Sequence, residues 1–226
     1  MRLKTNLHFH TGEDPDDFIS YDFYEGVDYA ARLGFEVLAL TCHRKFVYSQ
    51  KFGNYARAKN ILLIPGIEIN IEKKHVVVLN CDEEAEKIKN FQNLGEYKKT
   101  HPEIFILAPH PYFYGRKPLK NRLEKHIELF DAVELSWFYS KLFNRNIKGE
   151  MIASKYGKPF IAVSDTHFFD FMDKNYALVE AGQKTIPAVF QAIKNKNFEN
   201  ITSPRRFFQD MLWKYIWFNA KTCFYK

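Results

Sequence analysis

The residues of this chain that could do chemistry come in short, separate clusters. His8 and His10 end "NLHFH", His43 ends "LTCH", His110 lies in "LAPHP", and Asp165 and His167 lie in "VSDTH". Glu68 sits in "PGIEIN", and His75 opens "HVVVL". Neutral imidazole and carboxylate are the usual ligands of divalent transition metals. His8 and His10 are two apart, so on a strand both leave the same face and aim at one object. One such histidine is ordinarily a loop or core residue. Here histidines 8, 10, 43, 75, 110 and 167, out of 8 in all, lie at or beside the ends of apolar runs. That joint pattern is hard to explain residue by residue. With Glu68, Asp165 and an acid from "GEDPDD" the donors exceed what one four-coordinate ion needs. They suit two or three ions sharing carboxylates, which can bind a phosphate and lower the pKa of a water.

Something must bring these clusters together. Apolar, β-branched runs occur at "RLKTNLHFH", "FEVLALTCH", "ILLIPGIEIN", "HVVVLN", "IFILAPH", "AVELSWF" and "KPFIAVSDTH". Helical stretches lie between them. "DFYEGVDYAARLGF" puts Tyr24, Val27, Ala30 and Ala31 on one side, with Gly34 as its C-cap. "LKNRLEKHIELF" repeats Leu119, Leu123, Ile127 and Phe130. "RNIKGEMIASKYGKP" stops at Gly157 and Pro159, and "TIPAVFQAIKN" is a further short helix. Alternating strands and helices, with strands apolar on both faces, predict an α/β fold whose mostly parallel sheet is covered by helices. About seven units suggest closure into a barrel, whose C-terminal strand ends would gather the site on one face. An open doubly wound sheet is the alternative.

The 226 residues suit one domain, 1–226, with 203–226 as a helical extension. In that extension Phe207, Phe208, Met211, Leu212, Tyr215 and Ile216 form an apolar stripe that would pack on the barrel, on a second subunit or on a membrane surface. No stretch approaches the roughly 20 apolar residues of a membrane span, and the N-terminus reads as mature structure. Cys42, Cys81 and Cys223 are odd in number and widely spaced, which argues for a reducing, cytoplasmic setting. The formal charge of +6 is spread out. It suits an anionic substrate and does not by itself indicate nucleic acid. No phosphate-cradling glycine loop or Ser-His-Asp order competes with the histidine clusters.

Taken together, "HFH", "TCH", "GIEI" with "HVVVL", "APHP" and "SDTH" resemble the motifs of the PHP (polymerase and histidinol phosphatase) phosphoesterases, in order and spacing from Leu3 to His167. The resemblance implies a distorted seven-stranded (β/α) TIM-like barrel with a centre of two or three zinc, manganese or iron ions. It implies hydrolysis of a small phosphorylated substrate by a metal-held hydroxide. Carried over residue by residue, the ligands are His8, His10, His43, Glu68, His75, His110, Asp165 and His167, with Glu68 bridging. The family's further ligand in the loop after the first strand falls to Asp14, with Asp16 and Glu13 as alternatives. The family usually has aspartate where this chain has Cys42, a position that is not normally a ligand.

Glu68 and Asp165 are expected to act in catalysis, with Arg44 and Arg116 clamping phosphate, each followed by a lysine (Lys45, Lys117). Glu134 is a candidate to orient a ligand histidine. Tyr112, Phe113 and Tyr114 are candidates to stack on a ring, or simply to pack. Two other functions compete. One is a nucleic-acid-binding scaffold, as in the PHP-like RNase P subunit, which has largely lost its metal ligands. The other is an amidohydrolase cleaving C–N bonds, where a carboxylated lysine commonly stands in the place Glu68 fills here.

Overall fold

The computed structural model describes residues 1–206 and, beyond them, residues 210, 212 and 216. Most of the expected C-terminal stripe, and Cys223, lie outside the described residues. Among the described residues no helix is long and apolar enough to cross a membrane.

The seven apolar runs become strands: β1 (Arg2–Phe9), β2 (Val37–Leu40), β3 (Leu62–Ile71), β4 (Lys74–Leu79), β5 (Phe105–Ala108), β6 (Ala132–Ser136) and β7 (Phe160–Val163). Two more, β8 (Asn175–Glu180) and β9 (Phe198–Thr202), complete one nine-stranded sheet in the order β7-β6-β5-β4-β3-β2-β1-β8-β9. β8 has Asn175 and Glu180 at its ends, and β9 has Glu199, Asn200 and Thr202, so neither forms a long apolar run. The sheet is evenly mixed rather than mostly parallel. Pairs β1–β2, β2–β3, β5–β6 and β6–β7 are parallel, while β1–β8, β3–β4, β4–β5 and β8–β9 are antiparallel. The strict seven-stranded pattern fails first at β3–β4, which is a hairpin. Its two turn residues, Glu72 and Lys73, have φ of 48° and 65°, as a two-residue turn matched to strand twist requires.

The sheet curls until its ends nearly meet. Beyond β7, Thr166 forms a parallel bridge with Phe9. Along the seam, asparagine side chains replace the missing ladder, since an amide offers one acceptor and donors much as a peptide does. Asn6 Oδ1 accepts from the Ser164 amide at 3.0 Å, and Asn200 Oδ1 accepts from the Ala162 amide at 2.8 Å. Asn175 Nδ2 donates to the Val163 and Leu135 carbonyls at 2.7 and 2.8 Å.

The helices are α1 (Phe23–Arg32), α2 (Gln50–Ala58), α3 (Phe91–Thr100), α4 (Asn121–Lys125), α5 (Asn146–Lys155), α6 (Phe169–Met172) and α7 (Ile186–Lys194). α1 starts in a reciprocal cap between Asp22 and Glu25 and ends before Gly34, whose φ is +77°. Leu3, Leu7, Val37, Ile64, Val77 and Leu107 share one buried cluster, which Val189, Phe190 and Ile193 of α7 join. A second cluster, including Phe9, Phe23, Leu38 and Cys42, lies under α1 and α2. A register shift in β1 between Asn6 and Phe9 marks where these packing patterns change.

Candidate metal centre

Six histidines and their carboxylates meet at one end of the barrel. β1 delivers His8 and His10, whose ring centroids lie 4.9 Å apart. His43 follows β2, His110 follows β5, and Asp165 and His167 follow β7. Glu68 comes from within β3, and His75 from the start of β4. Because β4 runs antiparallel, its N-terminal end is the one that reaches the site. In the hairpin register Glu68 faces Val77 and His75 faces Asn70, so the two are diagonal neighbours. Gly66 sits two residues before Glu68, where a Cβ would come within 2.9 Å of Leu79 and 3.1 Å of the Leu40 carbonyl. Glycine there lets β3 lie close enough to its neighbours to project Glu68 inward.

Glu68 is the hub. Its carboxylate is 1% exposed and meets five imidazoles. Oε2 lies 3.1 Å from His8 Nε2, 3.4 Å from His10 Nε2 and 3.0 Å from His43 Nε2. Oε1 lies 2.7 Å from His75 Nδ1 and 3.3 Å from His110 Nε2. Asp165 Oδ1 stands 3.5, 3.3 and 3.4 Å from nitrogens of His8, His10 and His167. Three trios have donor atoms close enough to hold one ion: His8, His10 and Asp165; His43, Glu68 and His75; His10, His43 and His167.

Behind these groups lie carboxylates that orient them. Glu134 Oε2 accepts from His8 Nδ1 at 2.9 Å, and both side chains are fully buried. Asp14 Oδ2 accepts from His10 Nδ1 at 2.8 Å, His43 Nδ1 at 2.9 Å and the His43 amide at 2.8 Å. These bonds place a proton on each Nδ1 and turn the Nε2 atoms of His8, His10 and His43 toward the cavity, where each could bind a cation on giving up its own proton. Asp14, the loop acid expected as a ligand, is placed behind the rings. Its Oδ2 is turned toward the backs of two histidines, and its Oδ1 accepts from the amides of Asp16 and Asp17. Of the alternatives, Asp16 accepts from Arg44 Nε at 2.8 Å, and Glu13 accepts from the Phe23 amide at 3.2 Å. The loop acid that lines the cavity is Asp17, 3.1 Å from His167 Nε2. Nothing in the spacing of "GEDPDD" singles it out; the path of the loop does.

The two basic pairs also separate. Arg116 and Lys117 line the cavity of about 290 Å³ over the cluster. Arg44 does not line it: its half-exposed side chain pairs with Asp16 outside. Phe113 and Tyr114 line the cavity, whereas Tyr112 is buried under Lys148. Cys42 points away into the core, as alternation requires. His101 and His126 stay apart, stacked on Tyr97 and Phe91.

Electrostatics and backbone both mark this end as built for charge. Burial favours the neutral acid, yet the imidazoles packed around it hold Glu68 well below the usual carboxylate range. Burial likewise opposes His10⁺, but the Asp14, Asp165 and Glu68 carboxylates raise its pKa to about 9. Burial wins at His75, whose pKa falls to about 4, leaving a neutral ring. Arg44, His110 and Asp165 take φ of 55°, 29° and 44°, a region that costs a side-chain-bearing residue about 1–3 kcal/mol.

Divalent cations fit this donor set. Among the described residues, His10 Nε2, His75 Nδ1 and Asp165 Oδ1 are buried without a hydrogen-bond partner, and all three belong to the trios above. Five imidazole nitrogens around one carboxylate cannot all donate to it in good geometry. Cations would satisfy the converging lone pairs at once.

No protein-family model matches the chain, and no curated protein matches its sequence. Solved structures do match. A two-domain protein from Bacteroides vulgatus containing a predicted PHP-like metal-dependent phosphoesterase superposes with a TM-score of 0.68 at 18% identity, over 89% of this chain and 65% of that one. The lesion-specific endonuclease EndoQ from Pyrococcus furiosus gives 0.65 at 12%, over 88% and 58%. An amidohydrolase from Chromobacterium violaceum, solved with sulfate and no metal, gives 0.57 at 15%, over 88% and 98%. This chain thus spans less than two thirds of the first two. The likeness is one of architecture, and it agrees with the motifs: the chain has the barrel-like fold of PHP-like metal-dependent phosphoesterases.

Proposed function

We propose that this protein is a metal-dependent hydrolase that cleaves a phosphoester at a centre of two or three divalent ions. The observation that carries the reading is Glu68, whose two oxygens serve two different histidine groups. That is the arrangement a bridging carboxylate needs. His8, His10 and Asp165 would hold one ion with Glu68. His43 and His75 would hold a second with Glu68, His110 standing 3.3 Å from Glu68 Oε1 beside it, and His167 with Asp17 would share a third with His10 or His43. When bound, such ions stabilise charge on phosphate oxygens and make water more acidic, and zinc, manganese or iron would serve.

The chain's own residues supply the rest. Asp14 and Glu134 hold the protons on Nδ1 of three histidines, fixing the rings. Arg116 and Lys117, at the cavity wall, would neutralise the incoming phosphate. Water oxygen bonds to phosphorus, the bond to the leaving oxygen breaks, and that oxygen takes up a proton. A C–N hydrolase of the amidohydrolase type is less favoured, because Glu68 would take the role that a carboxylated lysine commonly takes there. A binding scaffold would have no use for so complete a ligand set.

Elemental analysis should find more than one equivalent of transition metal per chain. Hydrolysis across a panel of phosphomonoesters and phosphodiesters should vanish on chelation and return with manganese or zinc. One ion or fewer after reconstitution would defeat the multinuclear reading. Tight, salt-sensitive nucleic-acid binding with no turnover would favour the scaffold.

A further inference from the structure

Arg116 and Lys117 reach the cavity from the loop of residues 111–120, and both side chains are exposed. Among the described residues neither pairs with a carboxylate, in contrast to Arg44 with Asp16. Long exposed side chains have many rotamers, so where they act depends on how firmly their backbone is held. The loop is held at several points. Its neck is closed by the Lys120 amide, which donates to the Pro111 carbonyl at 2.8 Å, and Leu119 beside it is fully buried. Its tip, Gly115 with φ of +91°, is held by Lys120 Nζ, which donates to the Gly115 carbonyl at 2.8 Å. The remaining bonds come from β4. The β4–β5 ladder runs from Leu79 to Val77 and stops. Beyond it the loop takes over the strand edge. The His75 amide donates to the Lys117 carbonyl at 2.9 Å, and Lys74 Nζ donates to the Arg116 carbonyl at 2.6 Å.

We infer that Lys74 is a positioning residue for the anion clamp: by holding the backbone of Arg116 to β4 it fixes where Arg116 and Lys117 stand over the ion cluster, without itself touching the substrate. The inference rests on the phosphoester reading above and adds how the charged wall of that site is held. Three observations carry it. First, two consecutive residues of one strand serve both parts of the site. The His75 ring stands 2.7 Å from Glu68 while its amide holds Lys117, and Lys74, which alternation sends to the other face, holds Arg116. The clamp and the Glu68 cluster are thereby referred to the same rigid hairpin. Second, the bonds fall on the carbonyls of the two residues whose side chains form the wall, so they act where the clamp is made and not merely at the foot of the loop. Third, the Lys74 bond has a charged donor, which makes it stronger than a bond between neutral groups. A clamp ordered before the anion arrives loses less freedom on binding, and that difference appears as affinity.

Calorimetry on the manganese-loaded protein with methylphosphonate, a stable anion, tests this without turnover. Lys74→Met should weaken binding about fivefold or more with metal content unchanged, and Lys74→Arg, which keeps a charged donor, should recover most of the loss. In a background that already carries Arg116→Ala and Lys117→Ala, where the ions alone hold the anion, Lys74→Met should change affinity less than about twofold, because no clamp is left to position. Should Lys74→Met lose its fold by circular dichroism, Lys74→Gln takes its place in the same cycle. Weakening of equal size in both backgrounds would mean that Lys74 acts by its charge alone and would overturn the inference. Unchanged affinity in Lys74→Met would overturn it too and leave the phosphoester reading standing. Loss of metal in Lys74→Met would place the residue behind His75 and not behind the clamp, again overturning it. Failure of the parent to bind methylphosphonate would sink both readings.

Discussion

The two ends of one barrel interior are made of opposite materials. Toward one end the strands contribute Leu3, Val37, Ile64, Phe105 and Ile161, sealed by Phe190 and Ile193 of α7. Toward the other the same strands contribute His8, His10, Glu68 and, just past their ends, His43, His110 and Asp165. The polar end buries three carboxylates among imidazoles and takes left-handed backbone at Arg44, His110 and Asp165. One end makes the fold stable, and the other spends stability on holding charge and strain in place. Such division is what separates residues that specify a scaffold from residues that use it.

Exchanging chemistry at each end should therefore break different properties. The largest effect is expected for Glu68→Gln. The amide keeps the shape but loses the charge that would balance two ions, so bound metal should fall to one equivalent or less and hydrolysis more than about 100-fold. Unchanged metal and rate would remove Glu68 from the bridge. Glu134→Gln, one step back, should cost about 10–100-fold in metal affinity with the ligands intact. At the other end, Phe105→Ala should cost about 3–5 kcal/mol in denaturant unfolding while the folded fraction keeps its full metal complement. Loss of metal in proportion to stability would erase the division between the ends.

Acidity should act on the polar end alone. In metal-free protein, the depressed acids Asp14, Glu68 and Asp165 contribute stability that is complete above their unfolded pKa near 4 and is lost as pH falls toward their folded values. The raised histidines His8, His10 and His43 contribute stability that is complete below about pH 6.5 and is lost as pH rises through the folded pKa, about 9 for His10. His75, whose pKa falls to about 4, loses its contribution as pH drops below about 6.5, so unfolding in chelator should be hardest near about pH 6. Glu68→Gln should flatten this profile and Phe105→Ala should shift it down without changing its shape. The smallest effect belongs to Arg44→Ala. An exposed pair with Asp16 is worth about 0–1 kcal/mol, and activity should change less than about twofold, whereas Arg116→Ala should raise KM.

How much of this was legible beforehand depended on whether a signal was local. The seven apolar runs named seven strands because buried strands carry their own hydrophobic pattern. β8 and β9 escaped because only alternate residues of β8 are buried and none of β9 is, so neither carries a continuous apolar run. The β3–β4 hairpin was concealed for another reason: "NIEKKHV" has no Asn-Gly or Asp-Gly to announce a tight turn, and Glu72 and Lys73 adopt positive φ regardless.

The sequence by itself determined the donor set, because imidazole and carboxylate at strand ends are chemical facts of residue type. It also determined that His8 and His10 act together, since a period of two leaves a strand little choice. Only the tertiary structure decided which loop acid faces the cavity and which stands behind the histidines. Asp14, Asp16 and Asp17 are the same side chain within four positions, and the path of the loop alone distinguishes them. The same holds for Arg44 against Arg116. Each is a matter of direction across long sequence separations, and a linear pattern carries type and spacing but no direction once the chain leaves a regular element.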